Sequence, residues 1–305
     1  MNVQGRDCSL TVVTSQTEMS IPYTEETIRE NVSLLEEYPS IEGKGNCKAI
    51  RLSRGAVGCV VSPLTILTAP LLFYLALGEV WLSGYVSQTR DLYRHYLDLI
   101  PMSDTRPFGL LQDRSGKQVT GNKEQLTGNY GRKLYGDCRV VSFELRIIRD
   151  EAIKIKLDIF SDKAPVSLPV YEQVENDNGE WPGERFRGEN VTYRINGREH
   201  KNIYGVTLAV KKDDGTKTEL WIRRVLESEE DLPEIIDEFS ATAVLLRDNY
   251  EEKYFGKFCF TLRHLLLIHD ETSVECADSV IGPLRYFVNG DFTVDVFTAG
   301  EVTIA

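Results

Sequence analysis

From Cys138 onward, hydrophobic and polar positions alternate. Val141, Phe143, Leu145 and Ile147 are separated by Ser142, Glu144 and Arg146. After Arg149-Asp150-Glu151 the pattern resumes, with Ile153, Ile155, Leu157 and Ile159 between Lys154, Lys156 and Asp158. A period of two sends successive side chains to opposite faces of a strand, so these runs predict two half-buried antiparallel strands. Asn196-Gly197 and Asn289-Gly290 each lie between alternating runs. Asn-Gly favours a type I′ hairpin turn because both central residues need positive φ. Asp213-Asp214-Gly215 likewise joins residues 206–210 to 218–222.

Other segments follow a helical spacing. Leu71, Leu75, Leu82, Tyr85, Val86, Leu92, Tyr93, Tyr96, Leu97 and Ile100 recur at intervals of three and four, with Pro70 suited to a first turn and Pro101 to a stop. That spacing predicts one long helix over about residues 70–100. Leu232, Ile236, Phe239, Ala243, Leu246 and Tyr250 share a helical face behind Ser228 and Glu229-Glu230, which predicts a second helix over about 229–250. Thr24, with Glu25-Glu26 and then Ile28, Val32 and Leu35, reads as the capped start of a shorter helix. Residues 56–61 read as a buried strand ended by Ser62-Pro63.

The expected fold class is therefore α+β. A mixed unit over residues 1–101, carrying the long apolar and amphipathic helix, precedes a Gly- and Asn-rich linker or loop over 102–137. The remainder, 138–305, is expected to be a mostly antiparallel, sandwich-like β-sheet domain with one packed helix.

Charge adds one sharp local feature. From Gly55 to Gly78 the chain has no charged side chain, and up to Arg90 the only one is Glu79. A run of this length is a candidate membrane segment. Its apolar members are Val57, Val60, Leu64, Ile66, Leu67, Leu71, Leu72, Phe73, Leu75 and Leu77. Pro63 and Pro70 interrupt it, which suits a buried strand followed by a buried helix start equally well. Two readings of the run remain: insertion into a bilayer, or core.

The whole chain has 305 residues, a net charge of -12 and 42% hydrophobic residues, the balance of a folded protein of one large or two smaller domains. Net acidity argues against nucleic acid as a partner, because affinity for phosphate backbones comes from clustered Lys and Arg. Two charge clusters stand out. Arg114, Lys117, Lys123, Arg132 and Lys133 gather in the loop region, and residues 227–238 hold seven carboxylates with no Lys or Arg. Solvated surface or contact with an oppositely charged partner are the two readings of each.

Chemical motifs are sparse. The opening residues lack the charged and apolar regions of a cleavable signal peptide, so a cytoplasmic or membrane-associated location is expected rather than export by that route. Six cysteines, Cys8, Cys47, Cys59, Cys138, Cys259 and Cys276, form no C-x-x-C pair, so no zinc or redox site is indicated. Gly116-Lys117 lacks the upstream glycine and following hydroxyl of a phosphate-binding loop, and the segment around Asn176, Asn178 and Gly179 lacks the first ligand of a calcium loop. No cofactor is expected. Asn31-Val32-Ser33 and Asn190-Val191-Thr192 match the glycosylation acceptor pattern.

Cys259, His264 and His269 are the candidates for a nucleophilic site, although an odd separation of the two histidines on a strand would point them to opposite faces. Trp181, Arg185, Phe186 and Arg187 form an aromatic and arginine cluster of the kind enriched at binding surfaces. The leading expectation is a non-enzymatic, membrane-associated protein whose β-rich part contacts a protein partner or another copy. The alternatives are a soluble β-rich interaction or assembly protein with a buried apolar run, and an enzyme built on the Cys/His candidates.

Overall fold

A computed structural model describes residues 9–15, 17–37, 48–87, 92–113, 131–168, 184–212, 215–225, 232–249, 252–268 and 280–299. Its elements in chain order are β1 (Ser9–Val13), β2 (Glu18–Ser20), β3 (Glu25–Glu26), β4 (Arg29–Glu37), β5 (Lys48–Pro63), α1 (Ala69–Leu77), β6 (Gly78–Ser87), β7 (Leu92–Leu99), β8 (Phe108–Asp113), β9 (Arg132–Ile148), β10 (Lys154–Ser161) and β11 (Val166–Leu168). There follow β12 (Val191–Ile195), β13 (Arg198–His200), β14 (Ile203–Lys211), β15 (Lys217–Val225), β16 (Ile235–Asn249), β17 (Glu252–Ile268), β18 (Val280–Val288) and β19 (Phe292–Ala299). Every registered pairing is antiparallel.

The pairings resolve into two runs of strands. The first orders β4, β5, β10, β9, β14, β15 and β18; the second orders β13, β12, β16, β17, β19, β7 and β6. Phe143 of β9 stacks on Phe292 of β19, ring centroids 6.1 Å apart, although those strands share no ladder. The two runs therefore pack face to face as a first and a second layer. A smaller sheet, β2-β1-β8-β9-β11, uses the first half of β9.

The layers join at a corner in β17. Residues Gly256 to Leu262 pair with β19, whereas Leu265 to Ile268 pair with β18 of the first layer. Between them His264 takes φ 54. Inward-facing parity shifts at the same place: Phe258, Phe260 and Leu262 are buried before the corner and Leu265 after it. β16 makes the matching change, from buried Ile236 to buried Phe239, Ala241 and Ala243. The whole β16–β17 hairpin thus passes from one layer to the other.

The long helix expected over 70–100 is overturned. Helix α1 is nine residues long and ends at Gly78, whose φ of 102 is left-handed. A side chain there would be strained by that φ and would meet the Thr105 Cγ2 at 2.5 Å. Beyond it, residues rich in Val, Trp and Tyr pair as the β6–β7 hairpin. The helix start is where Pro70 places it, in the first turn. All nine α1 residues are buried, and α1 packs against β9 of the first layer and β6, β7 and β19 of the second.

The second expected helix is also overturned: from Ile235 the described part of 229–250 is strand β16, paired with β17 and with β12. The short helix after Thr24 is replaced by β3 and β4, both paired with β5. The fold is thus mostly antiparallel β-sheet rather than α+β with long helices. Part of the loop expected over 102–137 is strand as well, since β8 pairs with the beginning of β9. The strand expected over 56–61 lies within β5, and the two alternating runs after Cys138 are β9 and β10, paired with each other.

Of the two Asn-Gly hairpins, one forms. Asn196 at φ 49 and Gly197 at φ 79 join β12 to β13 with Ile195 opposite Arg198. Asn289-Gly290 instead carries the chain across from β18 to β19, which pair with different segments of β17 on either side of its corner. Gly290 is needed for closeness, because a Cβ would lie 2.6 Å from the Arg263 carbonyl oxygen.

Candidate functional site

Alternation leaves each layer an outer face. On the first layer the cross-strand row Glu219, Phe287, Leu266 and Ile235 runs over β15, β18, β17 and β16. Ile235 is 63% exposed and Leu266 54%, and Phe287 is half-buried beside them. Large aliphatic side chains directly opposite one another in a ladder normally meet a covering layer. Here they form a continuous apolar strip on the surface.

Charge frames the strip asymmetrically. One row along, Trp221 stands opposite Arg285. The Arg285 guanidinium lies over the indole at 5.0 Å and makes two hydrogen bonds to Glu219, from Nε at 3.0 Å and Nη2 at 2.6 Å. Arg223 extends that side. Beyond Ile235 in the opposite direction lies exposed Asp237, with Glu238 bridging Arg263 at 3.6 Å. The strip has a basic corner and, diagonally across it, an acidic one.

Next to the strip, at the corner in β17, is a cavity of about 710 Å³. One wall is the outer-face row Thr261, Thr293 and Asp98 across β17, β19 and β7. The crossing segment Asn289-Gly290-Asp291 closes one side, and Thr216 and Thr218 from the β14–β15 hairpin close another. Half-buried Tyr96 and Phe287 also line it. Below it, Arg94 fixes β7 to β19 through a bidentate pair with Asp295, Nε to Oδ1 at 2.7 Å and Nη2 to Oδ2 at 2.6 Å, which raises the Arg94 pKa.

The aromatic and arginine cluster lies elsewhere. Phe186 is not a surface anchor: it is buried in the core, edge-on to Phe258 at 5.0 Å, with its backbone bonded to Leu64 and Ile153. Arg185 and Arg187 flank it on the outside and, with Arg149 and four carboxylates, line a cavity of about 570 Å³. Opposite charges intermix there, as in the Arg187–Glu189 contact at 3.8 Å, so the cleft presents no field of one sign. Trp181 lies outside the described residues.

An adjoining hollow of about 230 Å³ contains Tyr193, which is 4% exposed. Its hydroxyl has no hydrogen-bond partner among the described residues, and burial raises its pKa.

Of the nucleophilic candidates, Cys259 sits on the outer face of β17, its sulfur accepting a hydrogen bond from Thr242 Oγ1 at 3.1 Å. His264 is exposed at the corner five residues on, roughly 16 Å away along an extended chain. His269 lies outside the described residues. Among the described residues no group of three or more His, Cys, Asp or Glu side chains is placed to hold a metal. The Cys138 thiol is buried, which together with Asp137 pushes its pKa up to about 12.

The uncharged run is used twice in the core. Val60, Leu64, Ile66, Leu71, Leu72, Phe73, Leu75 and Leu77 are buried, Val57 is half-buried on the outer face of β5, and Leu67 is exposed. No helix among the described residues is long and apolar enough to cross a membrane. These placements fit the reading of the run as buried core rather than as a bilayer-inserted segment.

Ile235, Leu266 and Phe287 were not singled out by sequence pattern. Ile235 and Ile236 are adjacent, as are Leu265, Leu266 and Leu267, and in such runs nothing marks which member faces outward. No protein-family model matches the chain, and no curated protein is significantly similar to it.

Proposed function

We propose that this chain is an interaction and assembly protein that pairs with a second copy of itself through the outer face of β15, β18, β17 and β16. The observation that carries the reading is the exposed cross-strand row Ile235, Leu266 and Phe287 on a face with charged corners. Burying apolar area stabilises association by roughly 25 cal/mol per Å². A stable interface covers about 800 Å² per partner, so the charged corners enter the contact too.

Those corners favour another copy as the occupant. A two-fold axis lying in the interface, and crossing the strip between Phe287 and Leu266, carries the Arg223 and Arg285 corner onto the Asp237 corner of the partner. The face is therefore complementary to itself, as an isologous contact requires.

Sedimentation velocity over a range of concentrations tests this. The unaltered chain is expected to move from monomer to dimer as concentration rises, while Leu266→Glu stays monomeric with an unchanged melting temperature. A chain that remains monomeric throughout, or a Leu266→Glu variant that associates equally well, rejects the reading.

A further inference from the structure

The cavity beside the strip has a chemistry of its own. Its volume, about 710 Å³, lies within the range of small-molecule sites. Its polar lining mixes donors with acceptors: threonine hydroxyls that do both, the Asn289 amide that does both, carboxylates at Asp98 and Asp291 that accept, and the Arg263 guanidinium that donates. Such a wall matches a ligand whose own groups each donate and accept, which is the property of a sugar hydroxyl.

Two further features narrow the class. Formal charge in the cavity is two Asp against one Arg, so phosphate, sulfate and carboxylate ligands would meet net repulsion. Ring surface from Tyr96 and Phe287, both half-buried, offers an apolar floor beside the polar wall. A pyranose has that division, with C–H groups on its face and hydroxyls at its rim. The wall is also rigid, because Thr261, Thr293 and Asp98 are held opposite one another by two ladders rather than by loops.

We infer that this cavity is a binding site for a neutral saccharide, in which Thr261, Thr293, Asn289 and Asp291 engage hydroxyls and Tyr96 or Phe287 lies under the sugar ring. The inference rests on the cavity lining and not on self-association. The same sugar chemistry could arrive as a free reducing sugar or as the terminal residue of a glycan.

The test is a titration of the whole isotope-labelled 305-residue chain followed through its amide resonances. The probes are glucose, galactose, mannose and N-acetylglucosamine, their methyl glycosides, and inorganic phosphate. Saturable shifts at Thr261, Thr293 and Asp291 are expected with at least one neutral sugar at millimolar concentration, and none with phosphate. A methyl glycoside that binds as well as its free sugar assigns the site to glycan termini; loss of binding on methylation assigns it to free sugars. Thr293→Val, which keeps the shape and β-branching, is expected to weaken binding about tenfold while leaving the melting temperature unchanged. The inference is overturned if no neutral sugar shifts these resonances, if phosphate shifts them equally, or if Thr293→Val binds like the unaltered chain.

Discussion

Two residues carry local costs that substitution can expose. The Tyr193 hydroxyl is buried without a hydrogen-bond partner among the described residues, and an unsatisfied buried hydroxyl costs about 1 to 3 kcal/mol. Tyr193→Phe removes the oxygen and keeps the ring beside Phe239, whose centroid is 6.3 Å away. It is expected to stabilise the fold by about 1 kcal/mol in urea unfolding, and a loss of stability would show that the hydroxyl is satisfied. His264 makes the opposite case. It is exposed, where most substitutions change stability by less than about 0.5 kcal/mol, yet its φ of 54 is left-handed. His264→Val is expected to destabilise by more than about 1 kcal/mol, whereas His264→Asn is tolerated; equal tolerance of both would remove the strained corner from the account. At this scale the sequence was partly legible. Asn196-Gly197 announced its turn because the required φ values select those residue types, but nothing in the side chain of His264 announces a corner that two layers impose from a distance.

At the scale of elements, legibility depended on which contacts decide the conformation. Phe143, Leu145 and Ile147 of β9 and Ile155, Leu157 and Ile159 of β10 put full-sized apolar residues on successive inward positions, so the period of two was plain. In β16 the inward positions include Ala241 and Ala243, and their small size let the helical set of Phe239, Ala243 and Leu246 compete. The choice was made by pairing with β17, a non-local contact absent from any local window. For α1 the start was legible from Pro70 and the end was not, since Gly78 terminates the helix only because the chain returns to pair as β6. The helix end also holds a titration. Lys212 is 3% exposed, its Nζ donates to the Leu77 carbonyl at 3.2 Å, and burial pushes its pKa down to about 8. In the unfolded chain the amine keeps its ordinary value of 10.5. Between those values the unfolded state binds more protons, so stability rises with pH across that window, by up to about 3 kcal/mol for this group alone, and is flat below about pH 8. The difference in unfolding free energy between the unaltered chain and Lys212→Met should change across the window in that direction. A difference that does not vary with pH would mean that the amine is solvated in the fold.

For the whole molecule, the sequence indicated antiparallel sheet only over residues 138–305 and helices elsewhere, and it could not show that β5 pairs with β10 or that β19 pairs with β7, because those strands are far apart along the chain. The uncharged run was ambiguous for the same reason: a segment surrounded by its own protein and one surrounded by lipid have the same composition, and only the covering strands distinguish them. The exposed strip is likewise a property of the assembled layers, created where β16 and β17 turn the corner and lay Ile235 and Leu266 beside Phe287. Its proposed pairing makes a prediction that turns on charge. Under a two-fold, Asp237 of each copy faces Arg223 of the other. Asp237→Lys alone then sets Lys against Arg twice, and Arg223→Glu alone sets Glu against Asp twice, so each variant should dimerise less well than the unaltered chain. Mixed together, the two variants restore opposite charges at both corners: the introduced lysine of one faces the introduced glutamate of the other, and the unaltered Arg223 and Asp237 meet on the far side. Sedimentation of the mixture should recover a dimer that neither variant forms alone, and that recovery should fade as salt is raised, because exposed pairs are screened within about 8 to 10 Å. A mixture that remains as monomeric as its components would show that these corners do not meet.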